Sequence, residues 1–220
     1  MKRLIYCTLL VLIFTSCLST PSNNTDPSDN EIQTGDLLFI SLPSDYNLED
    51  TTYLPISQQK NYIHIAILER DGDSLFVIDA TLKYGVHRHP LQTEFDLFTL
   101  RDGTLPHMEV MRLNDNSLAS RYVENAKRYV GAPYDVEFRT DNDAYYCSEL
   151  VSLAYSTDST TLFPTTQLHF TIDDGTLPVY WTQLCKIIGR DIPKGEGIMP
   201  SDIIKSDLLK PVECNIQDIQ

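Results

Sequence analysis

The sequence predicts an α+β domain in which an antiparallel sheet, or a partial barrel, is followed by helices. Three observations carry this expectation. β-rich runs come first, residues at helical spacing come after them, and no strand–helix–strand alternation links the two. Hydrophobic residues make up 42% and charged residues 22% of the 220, a balance that supports a buried core and excludes a disordered or collagen-like chain.

The first element is residues 36–40 (DLLFI), which follow Gly35 and read as a buried strand. Residues 41–61 are polar and interrupted by proline, and read as a long loop. Residues 62–69 (YIHIAILE) and 75–81 (LFVIDAT) are rich in β-formers and flank Asp71-Gly72, a strong turn signal, so they are predicted to form a hairpin. Further strands are predicted at residues 85–91 and 107–113. Two helices follow. Ser117 is the predicted N-cap of the first, which sets Leu118, Tyr122, Ala126 and Tyr129 on one face and stops at Gly131 and Pro133. The second starts near Cys147 and carries Leu150, Val151, Ala154 and Tyr155 at helical spacing.

Two segments of different chemistry stand ahead of this region. Met1-Lys2-Arg3 is a short basic start, and residues 4–14 (LIYCTLLVLIF) form an apolar run of signal-peptide length, too short to span a bilayer. Thr15-Ser16-Cys17 puts small polar residues before a cysteine and resembles the lipobox of bacterial lipoproteins, whose cysteine is acylated and becomes the new N-terminus. A buried N-terminal strand or an ordinary cleaved secretory signal is the alternative. Residues 18–30 are Ser, Thr, Pro, Asn and Asp after the first, the composition of a flexible tether. The expected organisation is a lipoprotein signal peptide at 1–16, a tether at 17–30 beginning on a lipidated Cys17, and one domain at 31–220. That domain would sit in a bacterial cell envelope, lipid-anchored and facing the periplasm. The net charge of −14, or −16 without Lys2 and Arg3, disfavours nucleic acid as a partner and makes an acyl anchor the better explanation for membrane attachment.

The hairpin permits a geometric inference. With Asp71 and Gly72 as a two-residue loop, Arg70 faces Asp73, and His64 then faces Asp79 on the same side of the sheet with Cβ atoms about 4.5–5.5 Å apart. A three-residue loop would send the two side chains to opposite faces. A carboxylate beside an imidazole fixes its tautomer and stabilises the imidazolium. Cys147 arrives, after the loop at 131–144, where the second helix starts. Unpaired amide groups and the positive end of the helix dipole there stabilise a thiolate and offer donors to an oxyanion. A cysteine in such a place is more often a small packed residue; a base within reach is what makes it a nucleophile.

Five segments in order carry a family resemblance. They are Gly35-Asp36-Leu37-Leu38-Phe39, Ile63-His64-Ile65-Ala66-Ile67, Val77-Ile78-Asp79-Ala80, Gly131-Ala132-Pro133-Tyr134-Asp135 and Tyr146-Cys147-Ser148-Glu149-Leu150-Val151. Together they resemble the circularly permuted branch of the NlpC/P60 cysteine hydrolases, the YiiX/YebB-like proteins. Pro178-Val179-Tyr180-Trp181 and Ile192-Pro193-Lys194-Gly195 are similar to the ends of such proteins. The resemblance implies a permuted papain-like (NlpC/P60) fold, with Cys147 as nucleophile, His64 as general base and Asp79 as the third polar residue. Family members often carry Glu at the last position. It implies hydrolysis of an amide bond through an acyl-enzyme, on cell-wall peptides or amino-acid conjugates, with no cofactor. The alternatives are a lipid acyltransferase, amidase or thioesterase of the lecithin–retinol acyltransferase type, and a non-catalytic ligand-binding lipoprotein. Tyr146 and Tyr134 are candidates to present hydroxyls to substrate, with aromatic packing the alternative for both.

Other residues are set aside at this stage. His87 and His89 form an H-x-H pair on a predicted strand and share a face, but with no Cys or third His close in sequence and Glu94 the one available carboxylate, no metal is assigned. His107 and His169 read as ordinary surface histidines. Cys185 and Cys214 either pair in an oxidising compartment or remain free. Phe163, Phe170 and Trp181 read as core residues, with cleft lining the alternative.

Overall fold

The computed structural model describes residues 30–50, 52 and 55–219, so the expected signal peptide, Cys17 and all but the last residue of the tether lie outside the described residues. In chain order the strands are β1 (Leu37–Pro43), β2 (Lys60–Asp71), β3 (Ser74–Thr81), β4 (Gly85–Pro90), β5 (His107–Leu113), β6 (Ser156–Thr157), β7 (Thr160–Thr161), β8 (Thr166–Gln167), β9 (Glu196–Gly197) and β10 (Leu209–Pro211). The helices are α1 (Leu91–Phe98), α2 (Ala119–Lys127), α3 (Cys147–Ala154), α4 (Val179–Ile188) and α5 (Pro200–Ile203).

Six strands make one open antiparallel sheet in the order β10-β5-β1-β2-β3-β4, and the four shortest form two separate pairs. β1 lies inside the sheet and is covered on both faces, which is why Leu37, Leu38, Phe39 and Ile40 form an unbroken apolar run and are all fully buried. On one face Leu37, Phe39, Ile65, Ile67 and Ile78 pack with Tyr122, Val123 and Ala126 of α2 and Leu150, Val151 and Ala154 of α3. On the other, Leu38, Ile40, Ala66, Leu68 and Val77 pack with Leu91 and Phe95 of α1, Trp181 of α4, and Val212 and Ile216 near the C-terminus. Alternation along the strands thus feeds two cores. No helix among the described residues is long and apolar enough to cross a membrane.

Two glycines are fixed by close approach. Gly35 has φ +85°, and a Cβ there would lie 2.6 Å from the Ala119 Cβ; its carbonyl accepts the Tyr155 hydroxyl at 2.7 Å. Gly85 has φ +67°, and a Cβ there would meet the Ala132 carbonyl at 2.3 Å, where the segment at 131–132 bonds to both backbone groups of Val86. The glycine start of the first family motif and the loop before Cys147 are therefore pinned to the sheet at close quarters.

Two expectations change, and the alternatives left open for Cys185, Cys214, Phe163, Phe170 and Trp181 are settled. The strand predicted at residues 85–91 ends at Pro90, which takes the N-cap position of α1; this helix buries Leu91, Glu94 and Phe95. The N-cap of α2 is Leu118 rather than Ser117, whose own N–H is taken by Asp115. Cys185 is buried and Cys214 half-buried, and both are free thiols. Phe163 lies in the core, whereas Phe170 and Trp181 are buried and also line a cavity of about 580 Å³ with Tyr62, Glu109 and His169.

Candidate active site

The site begins with the β2–β3 hairpin. Its loop is Gly72-Asp73, with Asp71 facing Ser74, because Gly72 rather than Asp71 takes the left-handed conformation, at φ +61°. Ile67 therefore faces Ile78, two residues away from the register expected for an Asp71-Gly72 loop. A shift of two keeps the face and loses the direct opposition, so His64 and Asp79 become diagonal neighbours. The imidazole still reaches the carboxylate, His64 Nε2 lying 3.0 Å from Asp79 Oδ2. A bulge helps to aim it. Ile40 pairs with His64 but Ser41 pairs with Tyr62, leaving Ile63 as the extra residue immediately before the histidine. Phe98 of α1 lies against the imidazole, with ring centroids 4.7 Å apart.

Cys147 is the first residue of α3 and is 5% exposed. Tyr146 precedes it as an extended N-cap residue, so the Cys147 amide is among the helix's unpaired donors. Glu149 lies close to the Tyr146 N–H, and the Ser148 hydroxyl donates to the Ile198 carbonyl at 2.7 Å, which ties the start of α3 to the chain after β9. His64 bonds Asp79 and stands close enough to Cys147 for the thiol to act on it electrostatically. With Nε2 on the carboxylate, Nδ1 is the nitrogen left for the thiol.

The charges are arranged to match. Burial opposes a charge on His64, but Cys147 and the Asp79 hydrogen bond outweigh it and hold the imidazolium well above the ordinary histidine range. Burial would likewise raise Asp79, but the imidazoles of His64, His87 and His89, at 3.0, 3.3 and 3.1 Å from its oxygens, keep its carboxyl far below the usual carboxylate range. Glu94, on α1 and fully buried, is pushed up to about 8 by burial and then by the charge on Asp79.

Glu149 is pushed up to about 8, chiefly by burial and against the pull of the Tyr146 N–H. Its folded form keeps a proton that the unfolded chain releases near the ordinary glutamate value of 4.5, so its contribution is fully present below that value and is lost as pH rises through about 8. The melting temperature is expected to fall between pH 5 and pH 8, and Glu149→Gln to reduce that fall by about 2–4 °C. Thermal melts of both proteins across this window check it; identical slopes would remove Glu149 from the account.

His87 and His89, set aside in the sequence, converge on the same carboxylate. Asp79 on β3 pairs directly with His87 on β4. Asp79 Oδ1 lies 3.1 Å from His89 Nε2 and 3.3 Å from His87 Nδ1, and Glu94 lies 3.4 Å from His64 and 3.5 Å from His89. The ligand atoms of Asp79, His87 and His89 lie within 4.8 Å of one another, as do those of His64, Asp79 and Glu94. A donor set that spans three elements has no local sequence signature. Its members were each named in the sequence, but not their convergence.

Of the two tyrosines named from the sequence, Tyr134 is close enough to Cys147 to feel its charge. Tyr146 is a correction. It is fully buried, its hydroxyl accepts the Ile198 N–H at 3.0 Å, and its ring lies 4.6 Å from Phe138, so its hydroxyl is spent on the fold rather than offered to substrate. Tyr180, whose neighbourhood resembled family members but which was given no role, also feels the charge on Cys147. Phe138 has φ +53°, held by Asp135, which accepts the Glu137 and Arg139 amides at 2.7 and 2.6 Å. His107 is exposed beside Glu109, and His169 lies 2.7 Å from Asp202; neither is among the groups gathered around Asp79. The 580 Å³ cavity is not lined by Cys147, His64 or Asp79.

A sheet carrying histidine and carboxylate, followed in the chain by a helix that begins on a cysteine, is a papain-like arrangement with its halves exchanged. The model of one family, described as permuted papain-like amidase enzymes of the YaeF/YiiX, C92 type, matches residues 31–213. The chain belongs to this family. As a permuted papain-like amidase family member it is, at family level, a cysteine hydrolase. Among solved structures, the crystal structure of metalloprotein YiiX from Escherichia coli O157:H7 is similar with a TM-score of 0.57 and 23% identity, over 82% of this chain and 96% of that one. That likeness is one of fold. No curated protein matches the chain.

Proposed function

We propose that this chain is a cysteine amidase using Cys147, His64 and Asp79, with cell-wall peptides or amino-acid conjugates as substrates. The observation that carries the reading is His64, bonded to the Asp79 carboxylate at 3.0 Å and set close to the thiol that opens α3. His64 takes the Cys147 proton, and the thiolate attacks the substrate carbonyl carbon. The oxyanion forms within reach of the Cys147 amide, and imidazolium protonates the leaving amine as the C–N bond breaks. Water, deprotonated by His64, then hydrolyses the thioester and restores the thiol. Asp79 orients the imidazole throughout and balances its charge. Tyr134 and Tyr180, whose hydroxyls stand within electrostatic reach of Cys147, are the side chains placed to meet a substrate there. A lipid anchor on Cys17 would hold the domain at the periplasmic side of an envelope membrane.

The similar protein from Escherichia coli is described as a metalloprotein, and the donors here fit a divalent cation: two imidazoles and two carboxylates, with His87 Nδ1 and both Glu94 oxygens buried without a hydrogen-bond partner. Bound there, a cation would supply positive charge beside Asp79.

The test uses protein lacking residues 1–30 and iodoacetamide. Alkylation at Cys147 is expected to run at least tenfold faster than at Cys185 or Cys214, and His64→Ala should remove the difference. Acyl-enzyme trapping with muropeptide and lipid extracts in parallel should give a peptidyl mass on Cys147. A fatty-acyl mass would move the reading to lipid chemistry, and an unreactive Cys147 across pH 5–9 would end it.

A further inference from the structure

We propose that Asp79, His87 and His89, with Glu94 standing beside His89, form a seat for a divalent transition-metal cation that shares Asp79 with the proposed catalytic triad. The argument is geometric. A four-coordinate cation with nitrogen and oxygen ligands at about 2.0–2.1 Å sets neighbouring ligand atoms about 3.4 Å apart. Here His89 Nε2 and Asp79 Oδ1 are 3.1 Å apart, His87 Nδ1 and Asp79 Oδ1 3.3 Å, and His89 Nε2 and Glu94 Oε2 3.5 Å. Those spacings exist before any ion arrives.

The surroundings agree. His87 Nδ1 and both Glu94 oxygens are buried and make no hydrogen bond, which is unusual for polar atoms out of water. The His87 and His89 rings are stacked, 4.1 Å between centroids and 18° between planes, so their positions are fixed together. Imidazole with carboxylate suits zinc and its neighbours better than magnesium or calcium, which take oxygen ligands.

The division of Asp79 is what makes the seat compatible with catalysis. His64 uses Oδ2, whereas His87 and His89 face Oδ1. A cation on Oδ1 leaves the His64 bond in place and draws charge out of the carboxylate, which weakens its hold on the imidazolium. Loading the seat therefore slows the reaction of Cys147. This coupling rests on the proposed triad; the seat itself does not.

Metal binding is measured on the full chain carrying Cys147→Ser, stripped with a chelator and titrated with Co²⁺ and then Zn²⁺. One equivalent of Co²⁺ is expected, giving visible d–d absorption that Zn²⁺ abolishes. His87 is part exposed, so His87→Gln should fold, as circular dichroism will show, and it should weaken binding about 100-fold or more. His64→Ala should leave the stoichiometry at one. No stoichiometric binding, or binding that His87→Gln leaves intact, overturns the seat. Loss with His64→Ala transfers the ion to the His64, Asp79 and Glu94 donors and overturns it too. In the unsubstituted chain, Zn²⁺ should slow iodoacetamide alkylation of Cys147 at least threefold. An unchanged rate with the ion bound overturns the coupling and leaves the seat standing.

Discussion

Cys147→Ala is expected to lower amide hydrolysis by on the order of 10⁴-fold or more, measured on the substrate that acyl-enzyme trapping identifies. The change removes only the thiol from a residue whose backbone is set by the N-terminus of α3, so the fold should survive and substrate binding with it. Asp79→Ala should do less damage than this, on the order of 10²–10³-fold. The reason is Glu94: its Oε1 already stands 3.4 Å from His64 Nε2 and needs to move only a few tenths of an ångström to replace the lost carboxylate. Adding Glu94→Gln to Asp79→Ala should therefore cost at least tenfold more than Glu94→Gln costs alone, a coupling that independent sites would not show. Turnover that persists in Cys147→Ala would remove the nucleophile assignment. Simple additivity would remove Glu94 from the site.

The division between what the sequence announced and what it hid has a physical basis. β5 lies at 107–113 as expected, and α3 begins at Cys147, because both rest on local signals: strand composition in one, and extended chain followed by helical spacing in the other. The hairpin was legible, but its loop was not. Asp71-Gly72 and Gly72-Asp73 both satisfy the turn chemistry, and only the pairing of whole strands decides between them, so the His64–Asp79 pair was right in face and displaced by two in register. α1 was hidden because eight residues give barely two turns of periodicity, and with it the placement of Glu94 beside His64. The His87–His89–Asp79 convergence was invisible for a different reason: β3 and β4 meet only in the folded sheet. For Tyr146 the packing alternative is the one the fold takes, because proximity in sequence to Cys147 says nothing about where a hydroxyl points.

Asp36→Ala is expected to be the most destabilising single change, about 3–5 kcal/mol, read as a lower denaturant midpoint with an unchanged slope. Asp36 is 1% exposed and Arg112 2%. The carboxylate takes Arg112 Nε on Oδ1 at 2.7 Å, and on Oδ2 a guanidinium N–H at 2.8 Å and the Gln33 amide at 2.7 Å. Removing it strands a buried guanidinium without its countercharge, a far larger penalty than the pair's net worth. The pair precedes β1 on one side and belongs to β5 on the other, the two strands flanked by β10 and β2, and Ile40 of β1 pairs with His64. Replacing both partners with apolar residues of similar volume, Asp36→Leu with Arg112→Met, should recover more than half of the loss, because no buried charge then remains. Recovery separates two explanations of why Asp36 stands in a family motif. If the double variant regains stability and Cys147 regains its alkylation rate, the aspartate serves the fold that holds the site. If stability returns and the rate does not, Asp36 also sets the placement of β2 that brings His64 to the thiol.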